Sequence, residues 1–202
     1  MASQTAICNR ALECLGDAPI VSIDDDTKQA KALRRVYDNT RRAFLCEHPW
    51  HFAKKRASLP ASAVSPVWGF RHGYPVPPDF LRLLAVRNGP DFSLEADATG
   101  SQWILSDAEA PLDILYLYDA ADPGRLPPHA VEALARWLAY DVVEDLTQSN
   151  TKKQDAAQGL AIALTRAKRI NGAQKQPDPY PAFSFLQSRD QSTQFPILTT
   201  DG

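Results

Sequence analysis

Apolar residues recur every three or four positions near the start of the chain, which predicts two α-helices. The first helix spans residues 3–16, with Ser3 as its N-cap and Gly16 as its C-terminal stop. The second runs from residue 26 or 27 to about residue 46. Its buried face is expected to carry Ala30, Leu33, Tyr37, Thr40 and Phe44.

Two further helices are predicted after residue 126. The third begins at Pro127-Pro128, because proline is favoured in the first turn of a helix. The fourth follows a break at Ser149-Asn150. Its expected apolar face consists of Ala157, Leu160, Ala161, Leu164 and Ala167.

Between the second and third helices, the pattern changes to short runs typical of β-strands, broken by Pro, Gly and Asn. Residues 80–86 read as a strand in which Phe80, Arg82, Leu84 and Val86 would face one side, and Asn88-Gly89 favours a hairpin turn into residues 92–96. Further strands are expected at residues 103–105 and 114–118.

These elements predict an α+β fold, in which an antiparallel four-helix bundle carries a β-rich insertion between helices two and three and an extended C-terminal arm. Residues 1–48 are assigned to helices one and two, 49–125 to the insertion, 126–171 to helices three and four, and 172–202 to the arm.

The predicted arm has several prolines and large apolar residues without a helical or strand period, so we expect neighbouring subunits to bury it. Packing of the arm against its own domain is the alternative. The residues predicted to dock on a neighbouring protein are Tyr180, Phe183, Phe185, Phe195, Ile197 and Leu198.

Charge, cysteine count and hydropathy each argue against particular classes of protein. A chain of 202 residues with a net charge of −2 and a pI of about 6.1 lacks the basic surface of a protein that grips nucleic acid throughout. The three cysteines are too few for a secreted disulfide framework and are expected to be reduced thiols. No segment has the ~18 consecutive apolar residues of a membrane span, so no membrane anchor is expected.

The sequence contains none of the short motifs of nucleotide, hydrolase or zinc-protease sites, which predicts no catalytic residue, no metal and no cofactor. Cys46, His48 and His51 lie close together, but a structural zinc site needs a fourth ligand. The 24 Asp and Glu residues leave a virion-borne wall hydrolase open as an alternative, because carboxylate pairs meet in space rather than in sequence.

A basic stripe lies along the second helix, and more cations close the fourth. A solvated helix face is the favoured interpretation, but these side chains are also candidates to face DNA or an acidic partner. A module that reads DNA sequence is a further alternative. The candidate residues are Lys31, Arg34, Arg35, Arg41 and Arg42.

Two motifs carry a family resemblance. The opening N-R-A-L-x-x-L-G at residues 9–16 and the corner H-P-W-x-F-A at residues 48–53 resemble phage tail tubular protein A and related head-to-tail connector adaptors. Similarity extends over roughly residues 6–88, including P-D-F-L-R at residues 78–82. Large apolar groups at a helix-to-strand corner are expected to close the helices over the strands. The corner residues are His48, Pro49, Trp50 and Phe52.

The resemblance implies a structural virion protein and not an enzyme. It implies a dodecameric ring in the virion neck, between the portal protein and the tail nozzle or another tail protein, made in the host cytoplasm. Double-stranded DNA would pass through the lumen without sequence-specific contact. In this family the C-terminal segment commonly docks on the portal, which gives the predicted arm its role.

Overall fold

The helices begin and end at capping residues that the sequence provides. The computed structural model describes residues 2–97 and 100–174. Its helices are α1 (Gln4–Leu15), α2 (Lys28–Glu47), α3 (Pro128–Thr147) and α4 (Asn150–Ala173). The hydroxyls of Ser3 and Thr27 accept hydrogen bonds from the first turns of α1 and α2, and Gly16 ends α1 with a φ of 67°. The four predicted helices are confirmed, although α4 continues two residues beyond the expected end.

The strands form two separate three-stranded antiparallel sheets. The first sheet has the order β1-β6-β3 and the second sheet has the order β2-β5-β4. The strands are β1 (Lys54–Leu59), β2 (His72–Pro75), β3 (Phe80–Val86), β4 (Phe92–Ala96), β5 (Gln102–Ser106) and β6 (Leu112–Tyr118). The central strand β6 pairs Ile114 with Ala57 of β1 and Val86 of β3.

The predicted architecture, a four-helix bundle with a β-rich insertion, is wrong. The helix α3 lies at the centre, and α1, α2 and α4 each pack mainly against it. The reason lies in α3 itself, where apolar residues cover more than one face, so that it is buried on several sides. Its buried residues are Ala130, Ala133, Leu134, Ala135, Leu138, Ala139, Val142 and Val143.

The hairpin predicted at Asn88-Gly89 is also wrong. Both residues have the positive φ angles, 64° and 58°, that the turn requires. Nevertheless β3 pairs with β6 and β4 pairs with β5, so the turn leads from one sheet to the other. Pro90 follows the turn and has no N–H to donate to a ladder, which prevents continuous pairing at this point.

The predicted apolar face of α4 is only partly confirmed. Ala167 is buried and Leu160 and Leu164 are half-buried, but Ala157 and Ala161 are exposed, and the other buried residues of the helix are Ala163 and Asn171. Nearer the start of α4, the guanidinium of Arg136 from α3 lies against the helix. A Cβ at Gly159 would lie 2.7 Å from Nη1 of Arg136, so glycine is what permits this approach.

Candidate interaction surface

The second sheet has one buried face and one face that is only partly covered. Tyr74 of β2 and Ile104 of β5 are paired neighbours and are completely buried. On the opposite face, the ring of Trp103 lies directly over Gly73, where a Cβ would be 2.5 Å from the ring. Glycine at this position therefore allows Trp103 to lie flat against the sheet.

The loop between β1 and β2 exposes large apolar side chains. Val67 is 99% exposed, Trp68 85% and Val64 70%. Isolated exposed apolar residues are common on proteins, but a group of them usually marks a binding surface. Sequence reasoning missed this loop, although V-S-P-V-W-G-F is unusually apolar for a stretch with proline and glycine.

Beneath this loop lies the apolar groove, which we define as the space between residues 64–70 and the second-sheet residues 95–97, Trp103 and Leu105. Its volume is about 500 Å³. The half-buried side chains of Phe70, Trp103 and Leu105 form its walls, with Glu95 at the rim. A groove of this size and lining can enclose apolar side chains of a partner.

The strand β4, which forms part of the groove wall, is an edge strand of the second sheet. Its side chains Phe92 and Leu94 lie on the same face as Ile104 but are nearly half exposed. The apolar surface therefore continues from the groove around the edge of the sheet. Uncovered strand edges with apolar side chains are regions where other chains bind.

The predicted corner is a tightly packed junction. Trp50 is completely buried and stacks on Phe44 with a centroid separation of 4.8 Å. Its indole N–H donates to the carbonyl oxygen of Phe44 at 2.8 Å. The rings of His48 and Phe52 contact the same indole from other sides, and Pro49 lies between them in sequence. The corner thus fixes the path of the chain from α2 into β1.

Asn171 of α4 completes this corner, and sequence reasoning missed it. Its side-chain oxygen accepts the backbone N–H of His51 at 2.9 Å, and its nitrogen lies 3.0 Å from Nε2 of His48. Burial lowers the pKa of His48, and the positive charges of Lys168 and Lys54 lower it further. A neutral His48 accepts the Asn171 N–H, so the end of α4 is tied to the end of α2.

All five candidate basic residues of α2 have carboxylate partners. Lys31 pairs with Asp26 at 2.5 Å, Arg34 lies 3.9 Å from Asp24, Arg35 pairs with Asp145, and Arg41 and Arg42 both pair with Asp119. Burial opposes ionisation of Asp119, but hydrogen bonds and charge from the two arginines outweigh it and lower the pKa of that carboxyl.

Some cations outside this group lack carboxylate partners. In the described part of the chain, Lys54 and Arg56 on β1 and Arg166 and Arg169 on α4 form no ion pair. Positive charge without a carboxylate partner therefore lies on β1 and near the end of α4, the second cationic region that the sequence indicated, and not on the five α2 candidates.

The predicted docking arm lies outside the described residues, and so do its members Tyr180, Phe183, Phe185, Phe195, Ile197 and Leu198. Within residues 2–97 and 100–174, no group of three His, Cys, Asp or Glu side chains could hold a metal ion. None of the helices in those ranges is both long and apolar enough to cross a membrane.

Several carboxylates that look suited to acid–base chemistry have structural partners. Asp79 accepts hydrogen bonds from Lys55 at 2.6 Å and from the hydroxyl of Tyr116 at 3.0 Å. Glu132 accepts from Nε of Arg10 at 2.8 Å and from Nε of Arg136 at 2.7 Å. Burial of Asp79 opposes its ionisation, but the hydrogen bonds from Lys55 and Tyr116 lower the pKa of this carboxyl overall. Hydrogen bonds from Arg10 and Arg136 lower the pKa of Glu132.

The sequence matches no protein-family model and no curated protein.

Proposed function

We propose that this protein is a structural component of a virion, a head-to-tail adaptor that assembles as a ring between the portal and the tail nozzle. The family resemblance of residues 6–88 supplies the specific role. The observation that carries the proposal is the apolar groove with its exposed loop, because a surface of this kind is suited to binding another protein.

The charges of α2 support the passage of DNA rather than its retention. Binding a phosphate would require Arg41 or Arg42 to leave Asp119, and Arg41 is only 3% exposed. Retention by phosphate contacts would show as a steep fall of affinity with salt. Cations that are already paired with carboxylates contribute less to such retention than free cations do.

The direct test mixes the purified full chain with the portal protein from the same genome and images the mixture by negative-stain electron microscopy. Rings attached to the portal are the expected result. Monomers that never join the portal would overturn the proposal, whereas free monomers alone would not, because a ring can form only on its platform.

A matched pair of variants tests the groove in the same assay. Val67→Ser and Val21→Ser make the same chemical change at positions that are 99% and 93% exposed. Only Val67 borders the groove, whereas Val21 lies in the loop between α1 and α2. We expect Val67→Ser, combined with Trp68→Ser, to reduce attachment while both proteins keep the parental melting temperature. Equal attachment of both variants would show that the groove takes no part.

A further inference from the structure

The groove is lined by residues 64–70 of the loop between β1 and β2 and by residues of the second sheet. Asn171 fixes the end of α4 beside His51, shortly before β1 begins. The C-terminal residues of each chain therefore start from this corner.

Residues 175–202 follow α4 and contain apolar side chains that suit such a groove. Phe183 and Phe185 are flanked by small or uncharged residues, and Phe195, Ile197 and Leu198 follow further along. Arg189 and Asp190 lie between these two groups, so the charges of this stretch cancel. The segment thus offers aromatic and aliphatic groups for the apolar walls of the groove.

The length of this segment allows it to reach another subunit. Fully extended, residues 175–202 span up to about 90 Å. A compact domain of the described size has a radius of gyration of roughly 16 Å, so the segment can cross a whole neighbouring subunit.

We propose that the groove binds residues 183–198 of an adjacent copy, an inference that rests on the ring assembly proposed above. A segment on one copy and a groove on the next are different surfaces, so the contact is heterologous. Contacts of this kind generate a ring when the rotation between subunits closes. The apolar loop and the C-terminal segment would then be the two halves of one subunit interface.

The test places a photo-crosslinking phenylalanine derivative at position 68 of the full chain, in place of Trp68. Copies labelled with ¹⁴N and ¹⁵N are mixed, assembled on the portal, irradiated and analysed by mass spectrometry. We expect crosslinks to peptides within residues 180–198, with one partner from each isotope. The same group at position 21, which is equally exposed but remote from the groove, is expected to give none of them.

Three outcomes would overturn this inference. Crosslinks to residues 180–198 that join only identical isotopes would mean that each chain fills its own groove. Crosslinks to the portal or to other segments would identify a different occupant. The double variant Phe183→Ser, Phe185→Ser is expected to lose the crosslink. A crosslink that persists in this variant would show that the groove does not bind these two side chains. Ring formation is scored separately by electron microscopy. Rings that form without the expected crosslink refute only the inference about the groove. An absence of rings on the portal refutes the proposed function.

Discussion

Replacing Asn171 by leucine tests whether the corner depends on a single polar side chain. The substitution preserves approximate volume at a position that is 2% exposed, but it removes both polar atoms. The backbone N–H of His51 loses its acceptor, and Nε2 of His48 loses its neighbour. The perturbation therefore acts on the junction of α2, β1 and α4.

The expected cost follows from the unsatisfied donor. A buried polar group left without a partner costs about 1–3 kcal/mol. For a domain of 150–250 residues, each kcal/mol lowers the melting temperature by about 2–4 °C. We therefore expect Asn171→Leu to melt roughly 2–12 °C below the parent protein.

Thermal unfolding followed by circular dichroism, with urea unfolding for the free energy, measures this effect. Gln158→Ala on the same helix is the control, because Gln158 is exposed and forms no hydrogen bond within the described residues. It is expected to change stability by less than about 0.5 kcal/mol. An Asn171→Leu protein as stable as the control would refute the view that this amide ties α4 to the corner.

Three other predictions concern the corner, the groove and the C-terminal segment. The pKa of His48 lies below its ordinary 6.5 in the folded chain, so the unfolded chain binds the proton more readily and stability falls as the pH drops below about 6.5. His48→Gln should reduce that fall in urea titrations between pH 7 and 5, without abolishing it, because burial also lowers the pKa of His129. Gly73→Ala places a Cβ 2.5 Å from the ring of Trp103 and should lower the free energy of unfolding by about 1–3 kcal/mol. Gly172→Ala is the control, because the space around its Cβ position is open, and it should cause no such loss. Equal melting temperatures of the two variants would contradict this packing. Truncation after Gln174 should leave the helical circular dichroism signal unchanged but prevent assembly on the portal, and a truncated chain that still docks would exclude a role for the segment.

Local signals in the sequence predicted the helices because their determinants are local. Ser3 and Gly16 act within one turn of α1, and the spacing from Ala30 to Phe44 needs no distant partner to be recognised. The faces of α4 could not be assigned in this way. Alanines are distributed around the whole helix, and the buried side is the one that packs against α3, a distant segment of the chain.

Pairing between distant segments was the part that sequence reasoning could not supply. Asn88-Gly89 adopts the conformation of a hairpin turn, yet the choice of β6 and β5 as strand partners depends on residues more than ten positions away. The same holds for Asn171, whose partners His48 and His51 are about 120 residues earlier. Polar residues near predicted helix ends therefore deserve consideration as tertiary anchors and not only as stop signals.

The charges of α2 show how contacts between distant segments can change a functional interpretation made from sequence. In sequence, α2 carries a row of cations that looks available for DNA, because its carboxylate partners Asp119 and Asp145 are more than 70 residues away. Folding pairs them. Each phosphate contact adds roughly 0.9 to the slope of log affinity against log salt. Under the proposed function, cations of α2 that are paired with carboxylates add less to this slope than free cations would.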